Sequence, residues 1–377
     1  LAFEQSIMNF NLNEMQQMIV DSARRFVGSE TGIDQWRDRR QSENGVDQKL
    51  WQAMTELGWL ALAVPDDAGG LGGSMEDVAL LMMELGKGLV TEPLVSTGIL
   101  ATHIFDKTLE GKTRTTWLGR VATGATRIAL AYEDPTAVGL APLTAQALPD
   151  GYALNGQKIM VYDAPSADYV IVLAQQDGAP ALFIADARAV GISTNCYPLI
   201  DGSRAADLHF SNVALPMDAL LAIGQKAQDI LEESLDRARL ALVAQAVGAM
   251  DATVRITADY SKERQQFGQP IGKFQAIQHL ATDMFTAAYQ ARSALYAGLC
   301  AVEAPPEQRC RATSVAKLIA GLSSQTVSRN AIQIHGGYGI TDEYAVSHFY
   351  RRLLVLEKQY GGNDEHVGLL AQAEMQS

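Results

Sequence analysis

The sequence predicts an α+β protein in three parts: a helical N-terminal region, a small β region in the middle, and a bundle of long helices at the C-terminus. Three observations predict it. Apolar residues recur at helical spacing from Leu12 to about Gly124. Short β-prone stretches separated by turn residues then run from Thr126 to near Leu221. From Ala227 onward long helical periods return with short connections, which is the pattern of a bundle. The boundaries are placed at 1–124, 125–222 and 223–377, and a chain of 377 residues is long enough for two or three domains.

In the first part Met15, Met18, Ile19, Ala23 and Phe26 recur at helical spacing. A second helix fits Val46 to Leu57. The run from Val64 to Gly73, with Pro65, Gly69, Gly70, Gly72 and Gly73, breaks the helical pattern. Ser74, with Asp77 three residues on, caps a further helix that reaches Gly86. Strands are expected at Thr126–Tyr132, Thr144–Leu148, Tyr152–Val161, Tyr169–Ala174 and Ala181–Ile184. Pro149-Asp150-Gly151 and Asn155-Gly156 read as turns between them. Four long helices are expected in the last part, at Leu231–Tyr260, Phe274–Val302, Glu307–Gly336 and Asp342–Gln359.

Composition narrows the function. Hydrophobic residues make up 47% of the chain, enough for a substantial core, and the formal net charge is -13. An acidic chain without a basic stripe is a poor partner for nucleic acid or an anionic membrane. Cys196, Cys300 and Cys310 are odd in number and lack C-x-x-C spacing, so reduced thiols and a cytoplasmic setting are expected. Leu1 to Phe10 has no basic region followed by an apolar run, so no signal peptide is expected, and Met8 reads as the natural start. The best candidate for a membrane span, Leu240 to Met250, is too short. His103, His209, His279 and His348 are dispersed, which implies no metal site.

The stretch that carries most information is Arg264-Gln265-Gln266-Phe267-Gly268-Gln269-Pro270-Ile271-Gly272-Lys273-Phe274-Gln275-Ala276-Ile277-Gln278-His279. An exposed arginine between two long helices can hold a phosphate through charge-assisted hydrogen bonds. A surface arginine is the commoner explanation for one residue alone. Phe267, Gly268, Pro270, Ile271 and Gln275 at fixed offsets change that balance. Gln333-Ile334-His335-Gly336-Gly337-Tyr338-Gly339 follows later in the chain. Adjacent glycines let backbone approach a ligand, and successive N–H groups bind an anion.

Together these stretches closely resemble the C-terminal half of the acyl-CoA dehydrogenases, which are FAD enzymes. Glu56-Leu57-Gly58, Val64-Pro65, Gly69-Gly70-Leu71-Gly72, Glu84-Leu85-Gly86 and Tyr152-Ala153-Leu154-Asn155-Gly156-Gln157-Lys158 extend the resemblance over nearly the whole chain. The resemblance implies the acyl-CoA dehydrogenase fold, with FAD between the β domain and the bundle. It implies that Arg264, Gln266, Phe267, Ile271, Phe274 and Gln275 seat FAD, and that Gln333, Ile334, Gly336 and Gly337 cradle the FAD of the partner subunit. Gln266 stands where Ser or Thr is usual. Met160 and Tyr162 replace the Trp and Thr that pack on the flavin, and Asn363 is counted with the cofactor contacts. An acyl-CoA substrate, an electron-transfer flavoprotein as electron acceptor, and a homo- or heterotetramer are the implied partners.

The sequence departs from the family where the chemistry is done. The family removes an α-proton with a Glu, a carboxylate whose pKa burial raises toward working pH. Most members carry it in Tyr-Glu-Gly-Thr; here the segment reads Tyr360-Gly361-Gly362-Asn363. Others place it in L-D-x-E-R; here Leu235-Asp236-Arg237-Ala238-Arg239 puts an alanine there. The flavin-facing loop reads Glu133-Asp134-Pro135-Thr136-Ala137-Val138-Gly139, without most of the usual glycines. The favoured expectation is one subunit of a heteromeric dehydrogenase whose partner supplies the base, most similar to the pimeloyl-CoA dehydrogenase small subunit type. The alternatives are a self-sufficient enzyme using Asp364, Glu365 or His366, a same-fold oxidase or monooxygenase, and a non-catalytic subunit.

Overall fold

The computed structural model describes residues 11–32, 36–37, 41–42, 44–135 and 142–376. The readings made of Leu1 to Phe10 and of Thr136 to Gly139 lie outside the described residues. The helices of the N-terminal region are α1 (Glu14–Glu30), α2 (Gln48–Glu56), α3 (Met75–Lys87), α4 (Thr102–Thr108), which continues a π-helical segment at Val95–Ala101, and α5 (Gly111–Ala122). Eight strands follow: β1 (Ile128–Ala131), β2 (Thr144–Leu148), β3 (Gly151–Tyr162), β4 (Tyr169–Gln176), β5 (Ala179–Asp186), β6 (Ile192–Pro198), β7 (Arg204–Pro216) and β8 (Leu220–Ile223). The C-terminal helices are α6 (Gln225–Glu263), α7 (Gln275–Cys300), α8 (Pro306–His335), α9 (Ala345–Lys358) and α10 (Asn363–Gln376), with a short hairpin of β9 (Gln265–Gln266) and β10 (Gln269–Pro270) between α6 and α7.

The chain forms two compact units that cut across chain order. One comprises residues 1–37, 75–90 and 239–377; the other comprises 38–74 and 91–238. In the first unit Asn13 caps α1 through a reciprocal pair of bonds with Gln16. On the α1 stripe Ala23 and Phe26 are buried with Val20, whereas Met15 and Met18 stay exposed. Helices α3 and α6 cross backbone to backbone. A Cβ on Gly86 would lie 2.1 Å from the Gln245 carbonyl, and one on Gly248 would lie 1.8 Å from the Met83 carbonyl. α6 is also apolar enough to pass a length-and-hydropathy test for a membrane span, over a longer window than Leu240–Met250. Of that window 72% is buried inside the fold, so the apolarity is that of a core helix.

The last unexpected helix is α10. Its apolar residues Val367, Leu369 and Met375 are exposed, and of its described side chains only His366 is buried. No apolar stripe therefore marks it in the sequence, and the four expected helices become five.

In the second unit the sheet runs β6-β7-β3-β2-β4-β5-β8, with β1 paired in parallel to β4. Its core includes Leu154, Val161, Val172, Phe183 and Leu208. Pro149-Asp150 does turn β2 into β3, where Leu148 faces Gly151. Asn155-Gly156 is not a turn. It lies inside β3 as a bulge, where Gly156 at φ 130° passes so close to Leu143 that a Cβ would sit 2.9 Å from its Cα. The Asn155 side chain accepts the Asn212 N–H at 2.8 Å and ties the bulge to β7. Strands β6 to β8 were not separately expected; β6 is a mostly exposed edge strand without period-two burial.

Candidate active site

In the first unit α6 ends one residue before Arg264. The Arg264 N–H donates to the Tyr260 carbonyl and the Arg264 carbonyl accepts from Ile271, which closes the base of the β9–β10 hairpin. Phe267 and Gly268 turn the hairpin with φ 53° and 79°, the two left-handed residues that a tight two-residue loop requires. This geometry throws the Phe267 ring outward at 91% exposure, edge-on to Phe274 at 6.0 Å. An apolar ring so exposed on a pinned turn is suited to contact with a ligand or another chain. Gln275 opens α7, whose N-terminus has no side-chain cap and is therefore open to an anion.

Tyr260 stacks on His335 at 4.2 Å and so brings this hairpin beside the end of α8. α8 stops at Gly336, which has φ 60°, and a Cβ on Gly336 or Gly337 would meet nothing within 4 Å. A cleft of about 410 Å³ opens there, lined by Arg329, Ile332, Gln333, Ile340, Tyr350 and Arg351. The side chains of Arg264, Gln266, Gln275 and Gln333 are exposed and make no hydrogen bond or ion pair among the described residues. One cation, several amides and a bare helix N-terminus fit the ADP end of FAD. Ile271 and Ile334 are buried, so their side chains belong to the interior and do not face a ligand. Asn363 packs on α8, where a Cβ on Gly321 would lie 2.0 Å from its Oδ1.

The segment after α9 is held by buried cations. Arg239 Nε donates to the Tyr360 carbonyl at 2.8 Å. Lys317 Nζ donates to the carbonyls of Leu356 and Glu357, at 2.8 and 3.1 Å. Burial, and then the Arg239 charge, brings the Lys317 amine down to about 7. Gly361 follows with φ 109°, and a Cβ there would lie 2.9 Å from His366 Nε2 and 3.1 Å from Glu365 Oε1. His366 Nδ1 contacts Ser314 Oγ at 3.1 Å. Burial, followed by Arg239 and Lys317, drops the imidazole to about 3. Its Nε2 makes no well-aligned hydrogen bond, and the Gly361 backbone offsets the drop only weakly. Glu365 is half exposed with Arg239 at 3.8 Å, and Asp364 is exposed in the first turn of α10.

In the second unit Ala238 is fully buried on α6. Lys158 is buried and donates to Asp134 at 2.6 Å and to the Tyr132 carbonyl at 3.0 Å, fixing the chain that leaves β1. Burial lowers the Lys158 amine, and Asp134 opposes that shift. Met160 projects outward and Tyr162 is buried, with Val161 between them in the sheet core. Asp163 follows at φ 64°, and Ser96 Oγ donates to its carboxylate at 2.6 Å. Burial raises the Tyr162 hydroxyl well above the usual phenol range, so it stays protonated. Sequence reasoning missed Lys317, Ser314 and Ser96, because each meets its partner far along the chain.

The pattern described as acyl-CoA dehydrogenase, N-terminal domain, matches residues 13–125, and that described as acyl-CoA dehydrogenase, C-terminal domain, matches residues 228–375. The probable acyl-CoA dehydrogenase YngJ of Bacillus subtilis is 30% identical over 93% of this chain and 95% of its own length. The caffeyl-CoA reductase-Etf complex subunit CarC of Acetobacterium woodii is 27% identical over 90% of this chain and 92% of its own. Among solved structures, a variant of the Tcur3481-Tcur3483 steroid ACAD superposes with a TM-score of 0.86 at 28% identity, covering 96% of this chain and 98% of that one.

Proposed function

Since the chain belongs to the acyl-CoA dehydrogenase family of FAD-dependent enzymes acting on CH–CH donors, we propose that it is one subunit of a heteromeric acyl-CoA dehydrogenase whose related partner chain carries the base. The observation that carries this reading is Gly361. Its φ of 109° favours glycine, and its neighbours His366 and Glu365 fill the space through which a side chain would leave. Ala238, at the other position used by the family, has only a methyl group and is fully buried. His366 is the nearest alternative, but a group that protonates only near pH 3 is a weak acceptor of an α-proton.

The chain's own part is to bind and to hold. Arg264, Gln266, Gln275 and Gln333 have free polar groups for a diphosphate and ribose, and Phe267 offers an apolar ring beside them. Arg239 and Lys317 fix the backbone from Leu356 to Tyr360. When bound, FAD supplies the hydride acceptor for α,β-desaturation of the thioester. Electrons then leave to an electron-transfer flavoprotein, a reading supported by the relative named as part of an Etf complex. A two-chain assembly is supported by the relative named for a pair of chains. The segment Gly361 to His366 supports the pimeloyl-CoA dehydrogenase small subunit type. The name of the caffeyl-CoA reductase relative also favours testing the reverse direction, reduction of an enoyl thioester.

Asp364→Asn tests the assignment of the base. In the complex with the partner, turnover should equal that of the unchanged chain. A loss of several orders of magnitude with flavin still bound would give the base to this chain and overturn the split arrangement.

A further inference from the structure

Strand β3 carries a second bulge at Met160, which the resemblance sets in the place of a flavin-packing Trp. Lys158 faces Leu208 and Val161 faces Ala206, so Ile159 and Met160 together oppose Asp207 alone. Met160 adopts φ 50°. That conformation brings Cβ of an L-residue against the neighbouring carbonyl, and Met has no side-chain hydrogen bond to offset it. The bulge is pinned from outside. Asp207 Oδ1 accepts the Met160 N–H at 3.1 Å and the Tyr197 hydroxyl at 2.8 Å, and Ile159 N–H donates to the Glu133 carbonyl at 3.1 Å. Tyr197 reaches Asp207 diagonally from the edge strand, where it pairs with Ala205. Its oxygen is also 3.8 Å from Met160 Sδ. A hydroxyl has one proton, and the short contact to the carboxylate takes it, so the sulfur contact is one of packing. Burial and Asp207 push the Tyr197 hydroxyl up to about 12, which keeps it a donor at working pH.

Bulges re-aim side chains, and strained backbone concentrates at functional sites. Here the bulge turns Met160 out of the sheet, 40% exposed, while its neighbour Val161 is in the core. We propose that Asp207 and Tyr197 are positioning residues that lock this bulge so that the Met160 thioether forms a platform for the flavin ring. A thioether packs favourably on an aromatic edge. The proposal rests on the reading of FAD as the cofactor but not on the identity of the base.

Peroxide oxidation followed by peptide mass spectrometry tests it on the protein in its native assembly, with FAD bound and after flavin removal. Met217 and Met375, 57% and 79% exposed, are internal references. FAD should slow oxidation of Met160 several-fold and leave the references unchanged. Asp207→Ala should abolish that protection and raise the fluorescence of bound flavin. Asp207→Asn, which keeps an acceptor oxygen, should restore both, and Tyr197→Phe should weaken both in part should the alanine variant fail to fold. Equal oxidation of Met160 with and without FAD would overturn the proposal. So would an Asp207→Ala variant that loses thermal stability alone. None of these readouts needs turnover, so a misassigned base would leave them unchanged.

Discussion

At Gly361 the neighbouring His366 and Glu365 leave no room for a side chain. Arg239 and Lys317 are buried nearby, and both disfavour a proton on His366. The unfolded imidazole titrates near 6.5 and the folded one near 3. Between those values the unfolded chain binds a proton that the folded chain refuses, so stability falls as pH falls from about 6.5 to about 3. The slope from this one group is at most about 1.4 kcal/mol per pH unit. Urea denaturation of the chain and of His366→Gln at pH 7 and pH 5 measures it. The unchanged chain should lose more stability over that interval, and parallel losses would remove His366 from the account. That Gly361 and Ala238 stand where the family carries its Glu rests on the resemblance of the motifs alone. The cluster was not legible in the sequence, since His366 meets Ser314 and Arg239 meets Tyr360 only in the fold.

Among elements, the break between α6 and α7 at Arg264 was legible, but the β9–β10 hairpin inside it was not expected. Phe267-Gly268 requires two left-handed residues, and the pairs Gln266–Gln269 and Gln265–Pro270 deliver the tight turn. Asn155-Gly156 carries a similar local signal, and there the neighbouring strands absorbed it as a bulge. α10 was missed because among its described side chains it buries one, and β6 because it alternates nothing. The crossing of α3 and α6 depends on two glycines whose role the sequence does not announce. Gly248→Ala places a methyl group on the Met83 carbonyl and must push the helices apart. Overpacking of this kind costs about 1–3 kcal/mol. A shift in the denaturation midpoint reports it, and a change within about 0.5 kcal/mol, as for a surface site, would contradict the backbone contact.

For the whole molecule, family membership and the mixed helical and β architecture were legible from motifs spread along nearly the entire chain. The grouping of elements was not: α1 and α3 fall in one unit with the C-terminal helices, and α2 falls in the other with the sheet, which only long-range packing decides. On the proposed reading this chain binds and positions while a related chain abstracts the proton. Flavin content and ferricenium-coupled turnover, measured on the chain alone and then on the chain co-purified with its related partner, test that claim most directly. The chain alone should show no turnover, and the complex should show flavin-dependent turnover. A yellow protein with full turnover on its own would contradict that reading and place a base within this chain.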